Sequence, residues 1–167
     1  MKRGDILVTR WGARFKGRRF PCAIGRGGTT CNKCEGDGAT PVGVHRIVAT
    51  FARADRTVGR RAKLAPKAIG PADLWSDDIR DPRYNHHVRV PHRFGHEQLR
   101  RSDPQYDLIL VTDWNWPLAV PGKGSAIFVH IWRRPRSPTA GCVAFASHDL
   151  LWIVGKLNSR TRLVVRG

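Results

Sequence analysis

Ser125-Ala126-Ile127-Phe128-Val129-His130-Ile131-Trp132, then Arg133-Arg134-Pro135-Arg136-Ser137-Pro138, then Thr139-Ala140-Gly141-Cys142-Val143-Ala144-Phe145: this stretch decides how the chain is read. Two apolar, β-like runs flank a basic loop interrupted by proline. The first run carries a histidine near its end. The second begins behind a glycine and a cysteine, and the cysteine stands twelve positions after the histidine. Two strands joined by such a loop can bring His130 and Cys142 face to face, the minimum for a Cys–His nucleophilic pair.

Working outward, Tyr106-Asp107-Leu108-Ile109-Leu110-Val111-Thr112 reads as a buried strand, closed by the turn Asp113-Trp114-Asn115-Trp116-Pro117. Beyond Phe145, Ser147 is an expected N-cap. Asp149 then falls in the first turn of an apolar helix through Leu150-Leu151-Trp152-Ile153-Val154. Arg162-Leu163-Val164-Val165 is a final strand. Upstream, Ile6-Leu7-Val8-Thr9 and Arg19-Phe20-Pro21-Cys22-Ala23-Ile24 read as strands, the second placed at an edge or bulge by Pro21, with Trp11 and Phe15 packed over it.

The glycine-rich segment from Gly25 to Gly43 is not a phosphate loop. No Gly-Lys-Ser/Thr follows, and Val44–Phe51 after it reads as a strand. Thr40-Pro41-Val42-Gly43 is a turn feeding that strand. Residues 52–75 lack periodicity and are expected to form a surface excursion. Residues 75–85 form a polar, turn-rich loop of the kind that lines sites. His96–Arg101 is expected to be a short helix. About seven strands and one clear helix after the cysteine make the fold class mainly β, a sandwich-like or mixed sheet in one domain spanning residues 1–167.

Thirty Lys+Arg against thirteen Asp+Glu give a net charge of +17. Such a chain binds polyanions non-specifically, but no nucleic-acid motif accompanies the charge, so no specific nucleic-acid partner is expected. Anionic polymers of a bacterial envelope are candidate partners, and a solvated basic face is the plain alternative. Of four cysteines, Cys31 and Cys34 have CxxC spacing without a second pair. Free thiols are therefore expected ahead of a disulfide, and a disulfide ahead of zinc. His86, His87, His92 and His96 have no metal-ligand spacing. No metal and no cofactor is expected. The apolar runs are too short to cross a bilayer, and Met1-Lys2-Arg3-Gly4 opens without a signal-like apolar core.

With these residues in view, the chain resembles the L,D-transpeptidase (YkuD-type) catalytic domain, in its compact stand-alone form. The resemblance is carried by His130 with Thr139-Ala140-Gly141-Cys142-Val143, by Gly36-Asp37-Gly38-Ala39-Thr40-Pro41-Val42-Gly43, by Asp81-Pro82-Arg83-Tyr84-Asn85, and by Gly124–His130. It departs from the common pattern at Ala140, where many members have His, and at Ala144, where many have Arg or Asn.

The resemblance implies a peptidoglycan enzyme in the cell envelope, although the visible N-terminus leaves a cytoplasmic place open. Cys142 would be acylated by a stem peptide at an L-centre diamino acid, and the acyl group passed to an amine of another stem. Carbapenems would acylate the same thiol. His130 would be the base, oriented by a backbone carbonyl. Gly141 and the Cys142 amide would supply oxyanion donors, and Thr139 would shape the loop or bind substrate. Tyr84, Asn85, Trp132, Arg133 and Arg134 are candidate substrate contacts. A helix N-terminus just beyond Cys142 would favour the thiolate. A monomer is expected. Hydrolysis of stem peptides by the same pair is the alternative activity, and an inactive polyanion- or cell-wall-binding protein is the alternative of another class.

Overall fold

The structure is a computed structural model and describes residues 2, 4–56 and 65–167. Its centre is β12 (Leu108–Thr112), a run of five consecutive buried residues. On one side β12 pairs antiparallel with β7 (Gly43–Ala52), and on the other with β13 (Phe128–Ile131). Next to β13 lies β14 (Val143–Phe145), parallel, with His130 opposite Ala144. Parallel strands need a crossover. Here it is the basic loop from Trp132 to Cys142, with no helix in it.

The sheet continues beyond β7 through β15 (Arg162–Val165), β1 (Ile6–Thr9), β2 (Gly12–Phe15) and β3 (Arg18–Phe20). At the other end β4 (Cys22–Ala23) pairs with β14. The two ends of the sheet are therefore neighbours in the chain, separated by Pro21 alone. Proline lacks the ladder N–H, so its place between two edge strands follows from its chemistry. The expected continuous strand Arg19–Ile24 is thus two strands at opposite rims.

Successive side chains of β12 and β13 enter different cores, which is why both read as largely apolar runs. Leu108, Leu110, Val129 and Ile131 face one cluster, where Leu150, Ile153 and Val154 of helix α1 (Ser147–Val154) close over them. Trp152 of that helix meets Phe15 edge-on at 6.2 Å. Ile109, Val111 and Phe128 face a second cluster with Trp75, Leu99 and Tyr106. Each such side chain taken from water contributes about 1.5–3 kcal/mol.

The second face is covered by a three-stranded sheet of β10 (His87–Arg89), β9 (Asp73–Ser76) and β11 (His96–Gln98). Two expectations change here. Residues 96–98 form a strand, not a helix, because they satisfy the free edge of β9 and bury Leu99 in the core. The excursion expected over 52–75 is external only in part. β8 (Lys67–Ala68) adds to β7, Ile69 is buried, and all four residues of β9 are buried. Arg60-Arg61-Ala62-Lys63 lies outside the described residues. Trp11 is 75% exposed and packs over nothing in the core; only Phe15 does. The glycine-rich segment adds a two-stranded parallel pair, β5 (Thr29–Thr30) and β6 (Thr40–Pro41). The fold is mainly β with a mixed sheet and, among the described residues, one α-helix. No described helix is long and apolar enough to cross a membrane.

Candidate active site

His130 and Cys142 are brought together by the register of β13 and β14. Val129 pairs with Val143, so Cys142 lies beside Phe128, and the Phe128 N–H donates to the Cys142 sulfur at 3.3 Å. The thiol in turn donates to the Ala126 carbonyl at 3.0 Å. Ala126 has φ +51°, and its N–H is taken by the Asn85 side-chain oxygen at 3.0 Å. These two bonds pull residues 125–127 out of the ladder. The strand expected over Ser125–Trp132 therefore begins only at Phe128.

The Cys142 loop is tied down at Thr139, Gly141 and Cys142. Thr139 donates its hydroxyl to the Cys142 carbonyl at 2.6 Å and accepts from the Gly141 N–H at 3.1 Å. Its own N–H donates to the Ile24 carbonyl at 3.0 Å. Thr139 thus shapes the loop. The Gly141 amide, one of the two expected oxyanion donors, is occupied by that same hydroxyl. Gly141 has φ +143°, and a Cβ there would stand 3.0 Å from the Ala39 carbonyl oxygen. Only glycine fits without strain.

His130 is buried, with Nδ1 2.8 Å from the Ile131 carbonyl. That acceptor fixes the Nδ1–H tautomer and leaves Nε2 with its lone pair free. Burial pushes the imidazole down to about 4, so the ring is neutral near pH 7. Burial, and next the charge of Glu97, push the Cys142 thiol up to about 12. The expectation that the helix would favour a thiolate is corrected. Strand β14 separates Cys142 from the start of α1, and a helix dipole fades within its first turn. The helix also starts differently from the expectation. Ala146 occupies the N-cap without a side-chain bond, and Ser147 is its first residue. The resting pair is thiol and neutral imidazole.

Both side chains open into a cavity of about 560 Å³. Thr139 and Arg133 line it with them. Arg134 is exposed outside it, and half-buried Trp132, whose backbone N–H donates to the Phe145 carbonyl at 2.9 Å, is not in its lining either. Tyr84 and Asn85 are both 2% exposed and lie behind the wall. Tyr84 donates its hydroxyl to Glu35. Asn85 accepts from Trp75 Nε1 at 3.0 Å and donates to the carbonyls of Trp114 and Asn115 at 3.1 and 2.7 Å. The Asn85 side chain is consumed in holding Ala126, Trp75 and the Trp114–Asn115 turn, and the Tyr84 hydroxyl in holding Glu35, so the structure does not place them as substrate contacts.

Sequence reasoning missed the groups facing Cys142 from elsewhere: Lys33 and Glu35 from the glycine-rich loop, Asp77 after β9, and Glu97 and Tyr106. The charged tract Lys33-Cys34-Glu35-Gly36-Asp37 carried a signal for the first two. Cys22, Cys31, Cys34 and Cys142 are all free thiols. His87 stands 3.1 Å from Asp73 and His92 2.9 Å from Asp81. Among the described residues, no group of three or more His, Cys, Asp or Glu side chains is arranged to hold a metal.

A family model for the L,D-transpeptidase catalytic domain, YkuD, matches residues 8–165. The chain belongs to that family. Comparison with curated proteins gives no match. Two solved L,D-transpeptidases are similar in structure. One, from Mycobacterium smegmatis, is 12% identical, with a TM-score of 0.46, over 98% of this chain and 58% of that one. The other, L,D-transpeptidase 3 from Mycobacterium tuberculosis in complex with a faropenem-derived adduct, is 11% identical, with a TM-score of 0.47, over 98% and 60%. This chain thus spans about three fifths of the length of these L,D-transpeptidases.

Proposed function

We propose that the chain is a peptidoglycan L,D-transpeptidase that uses Cys142 as nucleophile and His130 as general base. The observation that carries this is the pair itself: a buried thiol and a tautomer-fixed, neutral imidazole opening into one cavity. His130 Nε2 takes the thiol proton as sulfur leaves the Ala126 carbonyl and attacks the stem carbonyl at the L-centre. The Cys142 amide is the donor for the oxyanion. Such donors are worth about 3–4 kcal/mol. Collapse expels the terminal amino acid, whose amine receives the proton from His130, and leaves a thioester. An amine of a second stem attacks the thioester, gives its proton to His130, and returns sulfur as the thiol. Arg133, which lines the cavity, would meet a substrate carboxylate. The substrate sets the place of action in the cell envelope.

Incubation with disaccharide-tetrapeptide, read by mass, tests the reading. Cross-linked dimers that vanish in Cys142→Ala are expected. Tripeptide without dimers would give the same thiol a hydrolytic role, and no product from either route would sink both.

A further inference from the structure

The chain carries +17, yet three carboxylates, Glu35, Asp77 and Glu97, line the cavity of its candidate nucleophile. Among the described residues none of the three has an ion-pair partner. Of the four cations that line the cavity, Arg26 and Arg133 form no ion pair among the described residues, and the other two are committed elsewhere. Lys33 lies 2.6 Å from Asp37, and Arg101 gives its guanidinium to Asp103 at 2.6 Å. Glu97 is held instead by a neutral group: the Tyr106 hydroxyl donates to its Oε2 at 2.5 Å. The same tyrosine ring meets His130 edge-on at 5.3 Å and 80°.

We propose that Glu97, fixed in the cavity wall by Tyr106, is an electrostatic brake on Cys142, its negative charge favouring the protonated thiol. This rests on Cys142 being the reacting thiol of the proposed function. The physical basis is Coulomb repulsion in a cavity where water screens poorly. Glu97 opposes the thiolate and Lys33 favours it. Burial raises the pKa of the Glu97 carboxyl itself, and Asp77 and Glu35 raise it further, while the Tyr106 hydroxyl and Arg101 oppose the rise and favour the charged form. On His130, Arg101 and Asp103 act in opposite senses. The brake leaves the resting protein with an unreactive thiol beside the neutral base that must deprotonate it.

The test reads the thiol directly. In a chain with Cys22, Cys31 and Cys34 replaced by serine, the rate of Cys142 alkylation by iodoacetamide is followed from pH 6 to 10 by mass. Glu97→Gln keeps an acceptor for Tyr106 and removes only the charge. It is expected to alkylate about tenfold faster at pH 8, one unit of downward shift in the rate profile. Lys33→Met is expected to move the profile the opposite way. Equal or slower alkylation of Glu97→Gln overturns the brake, as does a shift of both variants in the same direction, which reports a structural disturbance. If Cys142 reacts in no variant at any pH, the nucleophile assignment falls and the brake with it. If the profiles separate as expected while stem peptides are not turned over, the brake stands and the proposed substrate falls.

Discussion

The Thr40 hydroxyl donates to the Gly141 carbonyl at 2.8 Å, joining residues 101 positions apart. The same oxygen accepts from the Gly25 N–H at 2.8 Å. Thr40 is fully buried, so this one hydroxyl sets the height of the Cys142 loop over the glycine-rich segment. Thr40→Val keeps the shape and orphans both partners. We expect a loss of about 1–3 kcal/mol in urea unfolding, with Thr40→Ser recovering most of it. Alkylation of Cys142 should change in parallel.

Gly141→Ala places a methyl group against the Ala39 carbonyl in a backbone region unfavourable to side chains. The strain costs about 1–3 kcal/mol. Relief by moving the loop would break the Thr139 contacts on either side. Formation of a carbapenem adduct on Cys142, read by intact mass, should fall at least tenfold. An adduct formed at the wild-type rate would contradict this account of the loop.

His130 gives a pH signature whose sign is fixed. Its pKa falls from an ordinary 6.5 to about 4 on folding. The unfolded chain then binds a proton that the folded chain refuses. Its contribution is fully present above pH 6.5 and is lost as pH falls through 4. The loss attributable to this group is about 3 kcal/mol. Urea unfolding of the wild type should weaken more steeply over that window than unfolding of His130→Gln. Cys142 acts at the other end, where stability falls as pH rises from 9 toward 12.

Asn85→Ala separates scaffold from contact. The side chain bridges Trp75, Ala126, Trp114 and Asn115. Removing it leaves several buried groups unpaired, each at about 1–3 kcal/mol and not additive. A large drop in melting temperature is expected, together with slower Cys142 acylation by every donor. A change confined to donor preference would restore Asn85 to the substrate.

The centre of the fold was legible because β12 and β13 are buried on both faces and say so in largely apolar runs. The meeting of His130 and Cys142 in one cavity was legible because glycine, cysteine and a strand-borne histidine stand out by type. The rim was not. Strands such as Thr29–Thr30 and Lys67–Ala68 are two residues long, too short to show alternation. His96-Glu97-Gln98 has helix-favouring residues, and the unpaired edge of β9 overrode them. Asn85 reads as a ligand contact in sequence because it is a polar side chain in a turn-rich loop, and its bracing of Trp75, Ala126, Trp114 and Asn115 shows only in the fold. Glu97 and Tyr106 reach the cavity through tertiary packing alone.

Pro21 has a consequence beyond strand geometry. The sheet starts at Arg18–Phe20 and finishes at Cys22–Ala23, so its circumference is sealed by a covalent seam. Neither rim can peel away without dragging the other. Through β4 the seam is in register with β14, the strand that leaves Cys142. Cutting the backbone at this one residue would free both rims at once and unbuckle the strand behind the thiol.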